Sequence, residues 1–357
     1  MFYLSIHGGN SNFDVIAFNE NCEILGRGHR SGIDNCFEPQ QTVLRHISEA
    51  VIECVVDLYS LGFSGRFECV YYCMVDKRNL LKECFLQIGY DIGEYILLEE
   101  PYCYLLAGGL TETGCVALSS TGSCAAFCNG RNDLLITGGY GIPVGDEGSS
   151  AYIGIRGINM VTRSIGGWGE KTILYDFLCE SLGNNTAQVD TVRLLQLLYP
   201  DNNYARRLIY VKFARQVVRA AGCGDAVAIS ILEEAGELMA RQTLCAYRLY
   251  LSGARGTQND ICMNHRGREQ GVVDLSFDRS AHGKQTPGVY VCGSTWKNNP
   301  IMLNAFRSFV SRYLPEAQCV EPHRAAVYGG FVCFILETYG NNALKEAAVQ
   351  LDPLQEA

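Results

Sequence analysis

Residues 115–137 read CVALSSTGSCAAFCNGRNDLLIT, and this stretch decides the fold. Three short, mostly apolar runs, Cys115 to Ser119, Ala125 to Asn129 and Leu134 to Thr137, are separated by clusters of Ser, Thr, Gly, Asn and Asp. Apolar runs of this length between turn residues are typical of β-strands. The stretch therefore predicts three successive strands joined by tight turns.

The same three-strand pattern already opens the chain. Phe2 to Ile6, Phe13 to Phe18 and Glu23 to Gly26 are likewise short, and the first of them breaks at Gly8-Gly9. Because one pattern occurs twice, at the start of the chain and again at residue 115, we predict that the chain contains two copies of one unit.

Each copy continues with alternating helices and strands, since apolar residues recur three and four positions apart in some segments and run together in others. In the first copy, helices are predicted at 39–59, 80–88 and 102–108 and strands at 69–75 and 95–98. In the second, a mainly helical region and a polar stretch at 252–287 precede strands at 289–292 and 318–320 and helices at 301–313 and 325–336. We predict an α/β protein with domains 1–114 and 115–357 flanking a cleft, and a helical insertion at about 149–251 in the second domain.

Composition excludes several functional classes. The 357 residues, 48% of them hydrophobic and 19% charged, can form more than one core and do not resemble a disordered chain. Lys and Arg number 29 against 38 Asp and Glu, so the chain has no basic field to bind nucleic acid. It shows neither a signal peptide nor an apolar run long enough to span a membrane. We expect a cytoplasmic protein without nucleic-acid or membrane partners.

The 17 cysteines do not predict a metal site. A structural zinc ion or an iron–sulfur cluster held by one chain normally needs closely spaced cysteine pairs, and no Cys-x-x-Cys occurs in the sequence. We expect most of these cysteines to be buried as small apolar residues.

Three glycine-rich turns follow predicted strands, at 7–11 (HGGNS), 119–123 (SSTGS) and 138–141 (GGYG), the last of which leads into 145–149 (GDEGS). Glycine allows a backbone to approach a phosphate closely. Each turn taken alone is equally well an ordinary hairpin, and the carboxylates of Asp146 and Glu147 are also suited to capping a helix. Their recurrence after strands points to a binding site.

These turns, together with residues 291–297 (VCGSTWK), resemble the N-acetylglucosamine kinases and BadF/BadG-type ATPases of the actin-like, sugar-kinase superfamily. The run 145–152 (GDEGSSAY) is the most specific match, and the resemblance covers nearly the whole chain. It implies a duplicated ribonuclease H-like (actin-like ATPase) fold that binds ATP and Mg²⁺, with a sugar hydroxyl attacking the γ-phosphate.

The resemblance also implies roles for individual residues. Glu100 stands near the position of the base that accepts the proton of the sugar hydroxyl. The positions that bind phosphate or adenosine correspond to Gly8, Gly9, Ser11, Thr121, Gly122, Ser123, Gly293 and Ser294. Those that bind the sugar correspond to Asn35, Gly139, Tyr140 and Asp146.

The sequence departs from the family pattern at the first turn. His7 stands where the family has an aspartate that holds Mg²⁺, and Asn10 stands where it has glycine. Mg²⁺ prefers oxygen ligands to a neutral imidazole, so we assign no metal-binding residue. At the base position, Glu99-Glu100 replaces the usual aspartate.

Three functional hypotheses follow. The first is an ATP-dependent kinase of N-acetylglucosamine or a related amino sugar, with glucosamine and N-acetylmuramic acid left open, acting as a monomer or a homodimer. The second is a catalytically degenerate homologue that binds sugar or nucleotide as a sensor, for which His7 and Asn10 are the evidence. The third, a dehydratase activator with a cluster bridging a dimer, is disfavoured because Cys-x-x-Cys is missing. Trp168 is interpreted as a core anchor in preference to an edge of the sugar site.

Overall fold

The computed structural model describes residues 1–9, 12–33, 38–74, 79–142, 144–181, 191–199, 203–253, 286–322, 324–344 and 351. The chain forms two compact units. The first unit comprises Met1–Gly114, Asn129–Asn132 and Glu321–Ala357, and the second comprises Cys115–Cys128 and Asp133–Val320. The predicted boundary after residue 114 therefore coincides with a boundary between units, whereas the last segment, predicted to belong to the second domain, groups with the first unit.

The first unit is built on a five-stranded mixed sheet. Its elements are β1 (Phe2–Gly8), β2 (Asn12–Asn19), β3 (Ile24–Ser31), α1 (Gln40–Val55), a 3₁₀ turn (Val56–Leu61), β4 (Arg66–Met74), α2 (Leu80–Ile88), β5 (Asp91–Leu97) and α3 (Glu100–Gly109). The strand order is β3-β2-β1-β4-β5, with β1, β4 and β5 parallel. These three strands end at one edge of the sheet, which is where ligands bind in open α/β sheets.

The second unit repeats this sheet. Its elements are β6 (Thr113–Ser119), β7 (Ser123–Asn129), β8 (Leu134–Gly138), α4 (Ser150–Ile165), α5 (Leu174–Ser181), α6 (Thr191–Leu198), α7 (Asn203–Gly222), α8 (Ala226–Leu251), β9 (Val289–Cys292), a 3₁₀ turn (Ser294–Trp296), α9 (Pro300–Tyr313) and β10 (Cys319–Val320). Its strand order is β10-β9-β6-β7-β8. In both sheets the strands of the unit lie in the order third, second, first, fourth, fifth, so the predicted duplicated α/β fold is confirmed.

The third strand runs further than predicted. It covers Ile24–Ser31, although the sequence analysis ends it at Gly26. A Cβ on Gly26 would lie 1.9 Å from the carbonyl oxygen of Cys54, and one on Gly28 would lie 1.9 Å from that of Ala50. Both carbonyls belong to α1. The two glycines therefore allow a helix to pack closely on the strand, and the strand continues past Gly26.

The predicted helical insertion occupies the chain between β8 and β9. Helix α4 begins after Ser149, whose Oγ accepts a hydrogen bond from the Tyr152 N–H at 3.1 Å. Helix α8 begins after Asp225, whose carboxylate accepts one from the Ala228 N–H at 2.8 Å. Side chains of this kind are preferred at helix starts because they bind otherwise unpaired N–H groups. Residues 254–285 of the predicted polar stretch lie outside the described residues.

The C-terminal helix α10 (Tyr328–Tyr339) packs in the first unit. The ring of Phe334 lies 4.5 Å from that of Tyr3 and 5.2 Å from that of Phe18. A Cβ on Gly330 would lie 2.2 Å from Ser5 Oγ, so the helix backbone itself rests on β1. This packing explains why the last segment groups with the first unit.

The described cysteines all carry free thiols, and most are buried, as expected. Among the described residues, no three His, Cys, Asp or Glu side chains come together as a cation site. Within the same residues, every helix is too short or too polar to cross a membrane.

Candidate functional site

In the first unit, the β1 turn (residues 7–9) lies at the edge of the sheet where the parallel strands end. The Gly9 N–H donates to the carbonyl of Asn12 at 2.9 Å, and the Gly9 carbonyl accepts from the Ile33 N–H at 3.0 Å. A Cβ on Gly8 would lie 2.9 Å from Met74 Cβ, so the end of β1 is closely packed. Two predicted site residues, Ser11 and Asn35, lie outside the described residues.

His7 is buried at the end of β1, with 7% of its surface exposed. Its ring packs edge-on against Tyr104 at a centroid distance of 5.6 Å. Burial lowers the pKa of His7 to about 4, and the negative charge of Asp14 opposes this shift only in part. The side chain is therefore a neutral imidazole near pH 7, which does not fit Mg²⁺, an ion that takes oxygen ligands.

Glu100 occupies the first turn of α3, shortly after β5 ends. Its Oε1 lies 4.0 Å from His7 Nε2, and its side chain keeps 44% of its surface exposed. Desolvation of the carboxylate and the neighbouring negative charge of Glu99 raise the pKa of Glu100 to about 7. A carboxylate that titrates near neutral pH and is open to solvent suits proton transfer.

Sequence reasoning overlooked Asp14, which pairs with His7 across β1 and β2. Its Oδ1 lies 2.7 Å from His29 Nδ1. The signal was a single carboxylate within the apolar run of β2. Arg30 of β3 pairs with Glu49 at 3.1 Å and also with Glu53.

In the second unit, the β6 hairpin (residues 119–123) connects β6 to β7. The Ser120 carbonyl accepts from the Ser150 N–H at 2.9 Å, and the Thr121 carbonyl accepts from the Ala151 N–H at 3.4 Å. These two N–H groups lie in the first turn of α4, so the start of this helix is bonded to the hairpin. We therefore look for a ligand site in the hairpin and not at the helix start.

Residues 293–295 come to the same hairpin from a distant part of the sequence. Gly293 has a φ of +102°, and a Cβ there would lie 2.2 Å from the Ser119 carbonyl oxygen. Thr295 Oγ1 donates to the Ser120 carbonyl at 2.9 Å. The structure thus places Gly293 and Thr295 against Ser119 and Ser120, at the start of the hairpin that carries Thr121, Gly122 and Ser123.

Asp146 joins the hairpin to the glycine-rich turn that follows β8. It is 3% exposed, has a φ of +61°, and its Oδ1 accepts from the Gly141 N–H at 3.1 Å. Its pKa is raised by burial, which the N–H donors of Gly141 and Ser123 and the charge of Arg207 oppose. A Cβ on Gly122 would lie 2.7 Å from Asp146 Oδ2. The carboxylate therefore links the predicted phosphate and sugar segments.

The remaining predicted sugar-site residues follow β8. Gly139 has a φ of +72°, and Tyr140 is 55% exposed. The interpretation of Trp168 as a core anchor is wrong, because this side chain is 71% exposed. Its ring packs on the Arg163 guanidinium at 5.1 Å, since the Gly-rich segment around it turns outward after α4 ends.

The amino-acid sequence also matches a known protein family and two characterised kinases. The model of the BadF/BadG/BcrA/BcrD ATPase family matches residues 5–263. Glucosamine kinase GspK of Vibrio cholerae is 23% identical over 271 residues, covering 75% of this chain and 82% of that protein. N-acetylmuramic acid/N-acetylglucosamine kinase of Clostridium acetobutylicum is 28% identical over 206 residues, covering 55% of this chain and 63% of that protein.

The fold has solved counterparts as well. A structure from Chromobacterium violaceum, described as a candidate N-acetylglucosamine kinase, superposes with a TM-score of 0.62 at 16% identity. The superposition covers 93% of this chain and 98% of the other. This likeness supports the fold class, which the repeated strand order of the two sheets also shows.

Proposed function

We propose that this chain, which belongs to the BadF/BadG/BcrA/BcrD ATPase family, transfers the γ-phosphate of ATP to a hydroxyl of an amino sugar. The curated relatives are kinases of glucosamine and of N-acetylmuramic acid or N-acetylglucosamine, which supports this substrate class over a purely regulatory binder. The observation that carries the proposal is Glu100, a solvent-open carboxylate of raised pKa beside the β1 turn.

In the proposed reaction, Glu100 accepts the proton of the attacking sugar hydroxyl. The sugar oxygen forms a bond to the γ-phosphorus while the bond from that phosphorus to the bridging oxygen breaks, and ADP leaves. A base with a pKa near 7 is ionised in a large fraction of molecules at neutral pH and still binds the proton usefully. The raised pKa of Glu100 therefore suits this step.

The phosphates of ATP are proposed to contact backbone atoms as well as side chains. We assign phosphate contacts to the glycine-rich backbone at Gly8 and Gly9 and, in the second unit, to the β6 hairpin with residues 293–294. Close approach of a phosphate requires positions without side chains, as at Gly122. Gly139 and Tyr140 remain the residues that we propose to contact the sugar. Asp146 acts through the hydrogen bond that it accepts from the Gly141 N–H.

ATP is the proposed donor, and Mg²⁺ commonly accompanies it in such kinases. The neutral imidazole of His7 does not fit that ion, because Mg²⁺ takes oxygen ligands. We therefore assign no Mg²⁺ ligand among the described residues.

The test is ADP release by the purified full-length chain with ATP and MgCl₂, with and without glucosamine, N-acetylglucosamine or N-acetylmuramic acid. Glucose, which lacks the nitrogen substituent, is the control. We expect ADP release that depends on one of the amino sugars and exceeds that with glucose. Thermal stabilisation by a sugar without ADP release would favour the sensor alternative, and the absence of both responses would overturn the proposal.

A further inference from the structure

The predicted phosphate-binding segments lack a positive charge of their own. Residues 7–11, 120–123 and 293–295 contain neither lysine nor arginine. His7, the one titratable base among them, is neutral near pH 7 because it is buried. Binding of a polyphosphate and stabilisation of its transfer generally use cationic side chains. A cation for the phosphates would therefore have to come from a neighbouring element.

Arg207 of α7 brings a guanidinium to the β6 hairpin. A Cβ on Gly122 would lie 3.4 Å from Arg207 Nη2 and 2.7 Å from Asp146 Oδ2. The guanidinium and the carboxylate thus lie beside the same glycine, and the positive charge of Arg207 acts on Asp146. Since Gly122 has no side chain, the cation can lie directly against the hairpin backbone.

We propose that Arg207 binds the phosphates of the nucleotide donor, and that Asp146 holds its guanidinium beside the hairpin before the nucleotide arrives. The inference rests on the proposed function, since it assumes a nucleotide at this hairpin. A guanidinium donates two parallel hydrogen bonds to phosphate oxygens, and a polyphosphate carries more negative charge than one carboxylate.

When Arg207 leaves Asp146 for a phosphate, the Asp146 carboxylate remains hydrogen-bonded. Its carboxylate also receives the N–H groups of Gly141 and Ser123, and both remain when Arg207 turns to the phosphate. A buried carboxylate without donors would oppose such a movement strongly. The two backbone donors therefore make Asp146 a suitable temporary partner for the guanidinium.

The neighbouring arginine provides a matched control. Arg206 precedes Arg207 on α7, and its guanidinium lies 5.3 Å from the ring centroid of Tyr199. Replacing Arg206 removes the same charge from the same helix turn, so it tests whether net charge alone changes nucleotide binding.

The experiment is calorimetric titration of the full-length wild type, Arg207→Gln, Arg207→Lys and Arg206→Gln with ATP, ADP and adenosine. We expect Arg207→Gln to weaken ATP and ADP binding by about 10- to 100-fold, the effect of losing a charge-assisted hydrogen bond, and to leave adenosine binding unchanged. Arg207→Lys should retain part of the affinity, and Arg206→Gln should match the wild type.

Two results would overturn the inference alone: wild-type ATP affinity in Arg207→Gln, or equal losses for ATP and adenosine in both Arg207 variants. Circular dichroism melts of each variant accompany the titrations, and Arg207→Lys serves as the readout if Arg207→Gln does not fold. A wild-type protein that binds no nucleotide would overturn the proposed function together with this inference.

Discussion

The β1 turn and the β6 hairpin occupy equivalent places in two sheets of the same strand order. At the β1 turn the polar groups are a buried, neutral His7 and the half-exposed carboxylate of Glu100, 4.0 Å apart. At the β6 hairpin they are hydroxyls and the buried Asp146, which receives two backbone N–H groups. The β1 turn thus places two groups with strongly shifted pKa values side by side, whereas the β6 hairpin holds a carboxylate that is hydrogen-bonded to the backbone.

This difference indicates a division of labour between the copies. Both units have the apolar pattern that specifies the sheet, whereas the polar residues at the sheet edge differ between the two units. A carboxylate of raised pKa that is open to solvent suits proton transfer, and a closely packed hairpin suits a rigid binding surface. We therefore expect substitutions in the first unit to act on chemistry and those in the second to act on stability and binding.

The strongest test of this division is Glu100→Gln. The variant keeps the shape of the side chain but cannot accept the proton, so we expect kcat to fall by about 100- to 10,000-fold while ATP binding stays near wild type. The wild-type rate should rise with pH through about 7, where Glu100 loses its proton, and then level off. Steady-state rates from pH 5 to 9 and ATP titrations measure both effects.

Glu99→Gln is the matched control, since this neighbour immediately precedes α3 and its pKa is likewise raised by burial. We expect it to keep the rate within a few fold. If Glu99→Gln loses turnover and Glu100→Gln does not, the base is Glu99. If neither does, the β1 turn carries no base and the comparison between the copies fails.

The second unit is probed by Gly293→Ala. At this φ of +102° an added Cβ would also lie 2.2 Å from the Ser119 carbonyl oxygen. Backbone strain and overpacking together should lower the free energy of unfolding by about 4 kcal/mol. Urea denaturation followed by circular dichroism measures the change.

Gly130→Ala separates the two causes, because Gly130 has a φ of +121° but no atom within 4 Å of the added Cβ. It should lose only about 1–2 kcal/mol. Equal losses in the two variants would show that the β6 hairpin is not the closely packed surface that the comparison requires.

Much of the fold could be predicted from sequence, because strands and helices follow from apolar spacing along the chain. The three-strand openings of both copies, the helices after them and the position of the insertion all lie close to their predicted places. The glycine-rich segments of the second unit, at Gly122 and Gly293, were also singled out as candidate binding positions, and that role stays a prediction. Their pattern is local, and the duplicated fold supplies the rest.

What the sequence could not predict depends on contacts between distant segments. The third strand was ended at Gly26, because the carbonyl of Cys54 that requires a glycine there belongs to α1 and does not show in the local sequence. Arg207 was not considered, since nothing near it in sequence indicates that α7 reaches Gly122. Trp168 was assigned to the core by its size alone, whereas the chain exposes it after α4.

The first unit can also be tested without activity, through the pH dependence of stability at His7. Its pKa is lowered by burial from 6.5 to about 4, so the unfolded chain binds a proton there more readily than the folded protein does. Its contribution to the free energy of unfolding is complete above pH 6.5 and is lost, by about 3 kcal/mol, as the pH falls to about 4.

The variant His7→Gln should remove this pH-dependent contribution. Urea denaturation of the wild type and His7→Gln from pH 4 to 8 measures the difference in slope. Equal slopes for the wild type and His7→Gln would contradict the lowered pKa of His7 in the folded protein. The β1 turn would then hold only one group with a strongly shifted pKa, Glu100, and its contrast with the β6 hairpin would be weaker.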